Sequence, residues 1–230
     1  MLTLTQSESR ILGVLIEKAQ TTPNQYPLTL NALVTGCSQK NNRDPVYDMD
    51  EDTALEAIDG LKAKGLAREA IMAGSRVNKF RHTVREALQI SVAEMAFLAE
   101  LLLRGPQAPG ELRSRAERMV PPGSGGAPLD TVEHAQAVLD SLAARREPLV
   151  KRLEHRPGER APRWAQLLCP DLHPHADEHP PGAGAQPAVS RSTGASLGGD
   201  SALLARIERL EAKVEELSVR ISRMSDPRIQ

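Results

Sequence analysis

Apolar and polar residues follow a helical period at the start of the chain. In residues 4–18, LTQSESRILGVLIEK, apolar side chains recur three or four positions apart, which predicts an amphipathic helix. Thr5 and Glu8 have the spacing of a capping box, in which each side chain bonds the other residue's backbone N–H. The apolar stripe consists of Leu4, Ile11, Leu12, Leu15 and Ile16. The sequence therefore predicts a helix whose N-terminus lies at this box.

The same pattern returns 86 residues later in the chain. Residues 90–104, ISVAEMAFLAELLLR, place Ser91 and Glu94 in a second capping box ahead of a second apolar stripe. Two later segments also match with small shifts, namely ALEAIDGL, which contains Ile58, and AVLDSL, which contains Leu139. Because chance would have to produce this pattern twice, we interpret it as an internal repeat.

A predicted β-hairpin follows the third helix of each half. The strand signals LAREAI and LVKRLEH each lead through a turn to a basic–aromatic step, Lys79-Phe80 and Arg163-Trp164. Three helices followed by a hairpin is the order of a winged-helix domain. The predicted fold is therefore mainly α with small β-hairpins (α+β), with two tandem winged-helix domains at residues 1–86 and 87–169.

Two long motifs carry a resemblance to a known family. They are TTPNQYPLTLNALVTGCSQKNNRDPV, which begins at Thr21, and LLLRGPQAPGELRSRAERM, which begins at Leu101. Together they resemble the YceH-like family, a group of uncharacterised bacterial proteins with two tandem winged-helix domains. The similarity covers about residues 1–169. It implies the fold and does not imply a reaction.

The end of the chain has a different composition. Residues 170–199 are rich in Pro, Gly, Ala, Ser and His, which predicts a disordered, flexible linker. Residues 200–225 show a heptad pattern, which predicts a C-terminal coiled-coil helix and hence a parallel homodimer. The predicted dimerisation residues are Leu203, Ile207, Leu210, Val214, Leu217, Ile221 and Met224. The alternative is an amphipathic helix docked on its own domain, although such a helix usually has a wider apolar face.

Composition restricts the classes of function. The chain has no stretch of about 20 apolar residues, so no membrane span is expected. No signal peptide is expected either, and the two cysteines, Cys37 and Cys169, are predicted to be free thiols in a cytoplasmic protein. The net charge is −1, so nucleic-acid binding would require a local basic patch.

Basic residues cluster in the predicted hairpins, in the second helix of the second half and in the loop after residue 38. Such patches neutralise phosphates, and the leading prediction is a non-enzymatic nucleic-acid-binding or transcription-regulatory protein that acts as a dimer. The candidate nucleic-acid-binding residues are Lys40, Arg43, Arg76, Lys79, Arg81, Arg113, Arg115, Arg118, Lys151, Arg152, Arg156 and Arg160. The common alternative role for such residues is that of ordinary solvated surface.

The third helices argue against the usual mode of DNA reading, in which that helix enters the major groove. The first carries Asp52, Glu56 and Asp59, and the second is also acidic. A protein-interaction scaffold that uses the same domains without DNA binding is therefore the alternative function. In that case the loop around Arg43 would be a docking surface, whereas the turn-forming residues around it favour a structural role in which Arg43 braces the turn.

Metal binding and catalysis have little support. Cys169, His173, His175 and His179 are zinc-ligand types, but their spacing is unlike a zinc finger and they lie in the predicted linker, so no metal site is predicted. No phosphate loop, nucleophile elbow or zinc-protease motif is present, so neither an enzyme nor a cofactor is predicted. Cys37 is interpreted as a core residue, and Phe80 and Trp164 as hairpin anchors.

Overall fold

A computed structural model describes residues 2–70, 77–120, 129–155, 158 and 161–173. Within these residues the protein is mostly helical with two small antiparallel sheets, which confirms the predicted α+β class at that level. The helices are α1 (Gln6–Thr21), α2 (Leu30–Cys37), α3 (Glu51–Ala63), α4 (Val84–Leu88), α5 (Val92–Arg104), α6 (Pro109–Ala116) and α7 (Val132–Ala143). The strands are β1 (Leu28–Thr29), β2 (Ala67–Ala70), β3 (Lys79–His82), β4 (Val150–Arg152) and β5 (Trp164–Gln166).

Both predicted capping boxes are present. The Thr5 backbone N–H donates to Oε2 of Glu8 at 2.7 Å, and the Glu8 N–H donates to Oγ1 of Thr5 at 3.2 Å. Ser91 and Glu94 form the same pair of bonds at the start of α5, at 2.7 and 3.2 Å. These bonds satisfy backbone N–H groups that have no partner inside the helix, so both helices begin where the sequence predicts.

The repeat extends from the helix caps to contacts between helices. Lys64, just after α3, donates from Nζ to Oε1 of Glu8. In the second half, Ser141 on α7, which corresponds to Gly60 in the repeat, donates from Oγ to Oε1 of Glu94 at 2.7 Å. A Cβ atom at Gly60, on α3, would lie 2.1 Å from Oε1 of Glu8. Each capping carboxylate therefore also ties the first helix of its half to the third.

The first sheet has three strands, and the second has two strands and an isolated bridge. In the first, β3 lies between β1 and β2, and Phe80 pairs with Leu28 on one side and Glu69 on the other. In the second, β5 pairs with β4, and Trp164 forms an antiparallel bridge with Gln107 on its other side. Phe80 and Trp164 are buried. The interpretation of these two aromatic residues as anchors of the hairpins is confirmed.

One hydrophobic core runs through both halves of the described chain. Helices α1 and α5 pack closely, because a Cβ atom at Gly13 would lie only 2.7 Å from Cγ of Leu103. Apolar residues of both halves belong to the same buried cluster, and the described residues form one compact unit. The backbone N–H of Asp44 also donates to the carbonyl of Leu103 at 2.8 Å. The two predicted segments are therefore joined through their first helices.

Two predicted boundaries differ from the structure. The division between residues 86 and 87 falls inside α4, a short helix that the sequence pattern did not predict. The predicted linker starts too early, because residues 170–172 form a 3-10 turn and Leu172 and His173 are buried. Leu172 belongs to the hydrophobic core, which explains why this turn is part of the fold. Residues 174–199 of the predicted linker and the predicted coiled coil lie outside the described residues.

Candidate nucleic-acid interface

Three basic residues occupy one face of the first sheet. Arg68 on β2 lies directly opposite Arg81 on β3, and Lys79 shares the face of Arg81 because alternate residues of a strand point the same way. Arg68 is exposed, and the other two side chains are half-buried. We call Arg68, Lys79 and Arg81 the basic face. Like charges directly opposite each other destabilise a strand pair, so this arrangement is unfavourable without an anion.

No described acidic side chain compensates the basic face directly. Within residues 2–70, 77–120, 129–155 and 161–173, none of its three members forms an ion pair with an Asp or Glu. The Nε atom of Arg81 is buried and has no hydrogen-bond partner among the same residues. The face therefore retains positive charge that no described carboxylate neutralises by an ion pair.

Tyr26 and His82 lie beside the basic face. The hydroxyl of Tyr26 accepts a 2.7 Å hydrogen bond from the backbone N–H of His82. Burial raises the pKa of Tyr26 to about 12, although the charges of Arg81 and Arg68 act against this change. Burial lowers the pKa of His82 to about 4, and Arg81 lowers it further while Glu86 raises it. Both rings are therefore neutral near pH 7 and leave the charge of the face unchanged.

The second hairpin does not repeat this arrangement in its described part. Lys151 and Arg152 are neighbours on β4, so their side chains point to opposite faces of the strand. Arg152 is exposed and pairs in register with Trp164, whereas Lys151 is half-buried and pairs with Ala165. Arg156 and Arg160 of this hairpin, and Arg76 of the first, lie outside the described residues. Among the described residues of this hairpin, the exposed Arg152 is therefore the best candidate for a phosphate contact.

Arg43 is a correction to the predicted interface. Its side chain is fully buried, and its Nη2 lies 2.7 Å from Oε2 of Glu17. Other donors of its guanidinium bond Gly36 O at 3.1 Å, Asn42 O at 2.8 Å and Gln39 Oε1 at 2.9 Å. Four of its five N–H donors are bonded within the protein and its side chain is fully buried, so Arg43 has the structural role of bracing the turn. Lys40, in the same loop, is exposed.

The arginines of the second helix of the second half are also engaged within the protein. Arg113 donates from Nη1 to the carbonyl of Asp130 at 3.2 Å, and Arg115 donates from Nη1 to Oε1 of Gln107. Arg118, just after α6, forms ion pairs rather than standing alone. These three residues therefore do not form the freely exposed row of charge that the sequence suggested.

Arg10 is the residue that sequence reasoning missed. It is fully buried, and its guanidinium donates to Cys37 O at 3.2 Å and to Pro45 O, while its Cζ lies 4.7 Å from the centre of the Tyr47 ring. A weak signal existed, because Arg10 and Glu17 are seven residues apart and share one face of α1. That face packs under the loop from Ser38 to Asp50 and fixes its backbone.

The third helices present acids to solvent, as predicted. Glu51, Asp52, Glu56 and Asp59 are exposed on α3, and Glu133 and Asp140 are exposed on α7. Leu55 is also 40% exposed on α3. Phosphates would be repelled by this surface, so α3 is a poor element for insertion into a groove of DNA.

The described residues hold little candidate chemistry. Cys37 is buried, and burial raises the pKa of its thiol to about 12, which confirms its interpretation as a core residue. Cys169 and His173 are buried, and His175 and His179 lie outside the described residues. In the part of the chain that is described, no three His, Cys, Asp or Glu side chains are grouped to hold a metal ion. None of the helices in that part is long and apolar enough to cross a membrane.

Comparison of the sequence with known protein families identifies a family for this chain. The sequence profile described as "Protein of unknown function, DUF480" matches residues 4–159, which is more than half of the chain. The chain belongs to the DUF480 family. The resemblance that the two long motifs carry is consistent with this family, and the relatives that match this chain are bacterial proteins.

The relatives of this DUF480 protein match it along most of their length. A UPF0502 protein of Geobacter sulfurreducens is 51% identical over 180 residues, which cover 77% of this chain and 78% of the relative. A UPF0502 protein of Koribacter versatilis is 45% identical over 217 residues, which cover 94% and 91%. A UPF0502 protein of Burkholderia pseudomallei is 44% identical over 216 residues, which cover 94% and 88%. These similarities show the family of the chain, and the names of these relatives state no activity.

Proposed function

We propose that this DUF480 protein is a non-enzymatic nucleic-acid-binding or regulatory protein that acts as a homodimer. The basic face of the first hairpin would contact the phosphate backbone, with Arg152 as a further contact. We also propose that each half is a winged-helix domain. Support for this fold comes from the helices α1–α3 and α5–α7, which precede the two hairpins, and from the Gln107 bridge, which lies beside β5 as β1 lies beside β3.

The observation that carries the proposal is the pairing of Arg68 with Arg81. Two guanidinium groups at directly opposite positions of a strand pair repel each other, and Lys79 adds a third charge to the same face. A phosphate placed between them removes this repulsion and accepts charge-assisted hydrogen bonds. Nucleic acid supplies phosphates in a regular row, which suits a strip of charge along a hairpin.

The acidic surface of α3 limits how a duplex could lie. Because α3 exposes four acids, we expect the backbone of the nucleic acid to meet the hairpin and to avoid the third helix. Such binding would depend mainly on phosphates and only weakly on base sequence, since phosphate contacts carry no sequence information directly.

Salt dependence tests the proposal. Fluorescence anisotropy of full-length protein on a random-sequence duplex would be measured across a salt series. For each protomer, the three residues of the basic face and Arg152 make four phosphate contacts, which predict a slope of log K against log salt of roughly −3.6, since each contact contributes about −0.9. The double variant Arg68→Gln and Arg81→Gln should weaken binding and make the slope shallower by about 1.8.

Lys62→Gln is the matched control, because it removes one positive charge from exposed α3, where Lys62 pairs with Asp59 at 2.9 Å. This control should leave both affinity and salt slope close to the wild-type values. An unchanged slope in the double variant, or an equal loss in the control, would show that the basic face is not the contact surface.

A protein-interaction scaffold is the second candidate function, and one observation favours it. The exposed face of α3 combines acids with the apolar Leu55, which is 40% exposed. That combination suits a partner protein with basic and apolar side chains better than it suits a phosphate backbone. Absence of duplex binding by the wild-type protein at low salt would favour this candidate.

A further inference from the structure

Buried and half-buried charges gather where the two halves meet. Four arginines surround two carboxylates. These six residues come from α1, α5, α6 and the segments that follow α2 and α6. We call this group the junction cluster. Its members are Glu17, Glu100, Arg43, Arg104, Arg115 and Arg118. It is separate from the basic face, which lies on β2 and β3.

Both carboxylates of the cluster have guanidinium groups as neighbours. Glu17 lies 2.7 Å from Nη2 of Arg43 through Oε2 and 2.9 Å from Nη2 of Arg118 through Oε1. Glu100 lies 3.1 Å from the same Nη2 of Arg118 through Oε1 and 3.0 Å from Nε of Arg104 through Oε2. Each carboxylate oxygen therefore already has a guanidinium neighbour, and no acid of the cluster remains to neutralise Arg115.

The cluster carries an excess of positive charge. Four guanidinium groups oppose two carboxylates, and Lys18 lies 3.9 Å from Glu17 as a further cation. Arg115 donates to Oε1 of Gln107, whose Nε2 donates to Glu100 O at 3.2 Å, so Arg115 lies beside the same residue as Arg104 and Arg118. Burial is the main cause that lowers the pKa of Arg104; Glu100 raises this pKa, and the charges of Arg115 and Arg118 lower it further. The protein thus holds positive charges together at an electrostatic cost.

The edge of the cluster is open to solvent, although one of its donors is buried. The Nε atom of Arg104 is buried and forms no hydrogen bond, despite its proximity to Glu100. The side chain of Arg104 is 15% exposed and that of Arg118 is 41% exposed, and Arg115 is half-buried. An anion in solvent can therefore reach the edge of the cluster without unfolding of the protein.

We propose that Arg104, Arg115 and Arg118 form a binding site for the phosphate monoester group of a small molecule. Guanidinium groups bind phosphate through paired, charge-assisted hydrogen bonds. A phosphate monoester carries close to two negative charges at pH 7, which matches the excess of the cluster. A phosphodiester carries only one charge per phosphate, so the site favours a terminal phosphate over the backbone of nucleic acid. Arg118 contacts both Glu17 and Glu100, so an anion held there also bears on the junction between the halves.

Calorimetric titration of the full-length protein tests this site. Inorganic phosphate would be compared with dimethyl phosphate, which is a monoanion, at equal ionic strength and pH 7.5. We expect saturable binding of phosphate and none of dimethyl phosphate. Arg115→Gln should weaken phosphate binding by roughly ten- to a hundredfold, which is the range for one lost charge-assisted bond. Arg115→Lys, which keeps the charge, should recover part of the loss.

Arg113→Gln is the matched control on the same helix. Arg113 is two residues from Arg115, so it faces another direction, and its guanidinium bonds Asp130 O. This variant should bind phosphate like the wild type, and so should Arg68→Gln, which separates this site from the basic face.

A second measurement needs no variant. Phosphate should shift the Nε–Hε NMR signals of Arg104, Arg115 and Arg118 in the wild-type protein. Equal binding of dimethyl phosphate, no saturable phosphate binding, an equal loss in Arg113→Gln, or shifts confined to other arginines would each overturn the proposal.

Discussion

The buried ion pair between Arg43 and Glu17 allows a quantitative prediction. Arg43→Gln keeps a polar side chain but removes the charge and shortens the reach to Glu17. The change would also remove the bonds to Gly36 O and Asn42 O, which hold the loop between α2 and α3. Because the Arg43 side chain is fully buried, water cannot easily replace these bonds.

The magnitude follows from the burial of both partners. Removing one partner of a buried ion pair costs about 3–5 kcal/mol, because the remaining charge is left without compensation. Here Arg118 still contacts Glu17 at 2.9 Å, so we expect a loss near the lower end, about 3 kcal/mol. Domains have a total stability of about 5–15 kcal/mol, so the variant would fold but with a clearly reduced margin.

Urea denaturation followed by circular dichroism measures this loss. With an m-value of about 2 kcal/mol per molar urea, the midpoint should fall by roughly 1.5 M. Glu17→Gln and the double variant complete a double-mutant cycle, which should return a coupling energy of more than about 1 kcal/mol. A midpoint unchanged within error, together with a loss of DNA binding, would refute the structural role and return Arg43 to the interface.

The same pair predicts how the stability loss depends on pH. Burial alone would raise the pKa of Glu17, but the hydrogen bond and charge of Arg43, with Lys18 and Arg118, lower it below its ordinary value of 4.5. A lowered pKa in the folded state contributes stability above the unfolded pKa, and this contribution disappears as the pH falls through the folded value. The difference between wild type and Arg43→Gln should therefore be largest near pH 7 and shrink below pH 4.5.

Two further predictions concern the packing. Gly60→Ala should lower stability, although alanine favours helix by about 1 kcal/mol over glycine, because its Cβ would displace the Glu8 carboxylate. In a Glu8→Ala background the same substitution should raise the urea midpoint. A higher midpoint in both backgrounds would contradict the close contact. Cys37 should react with a thiol reagent at pH 8 only when the protein unfolds, because it is buried and its pKa is raised to about 12. The measurement would use the Cys169→Ser variant, so that Cys37 gives the signal. Labelling of the native protein at the rate of a small free thiol would contradict this burial.

Local signals predicted the local parts of this fold. The capping boxes at Thr5 and Ser91 depend only on residues three positions apart, so the sequence was sufficient to locate them. The anchors Phe80 and Trp164 were predictable for a similar reason, since a large aromatic side chain in a short amphipathic strand is usually buried. The helix α4 was missed because five residues contain too little periodicity to distinguish them from a turn.

Contacts between distant segments were not predictable in the same way. The partner of Arg43 is 26 residues away, so spacing could suggest a brace for the turn but could not name Glu17. Arg118 contacts Glu17 across 101 residues, and its exposed sequence context favoured a surface role. Arg68 was passed over because its significance arises only from the register that places it opposite Arg81. Charges acquire their roles here from tertiary structure, which local patterns do not contain.

The close packing of Gly13 against Leu103 has a consequence for how the two halves unfold and for fragments of the protein. A repeated module can often fold alone. Here, however, one face of the first helix of each half packs against the first helix of the other half. A fragment ending near residue 86 would present to water the face of α1 around Gly13, which packs against Leu103 in the intact chain. The two halves are therefore expected to unfold, and to become accessible to proteases, as one unit.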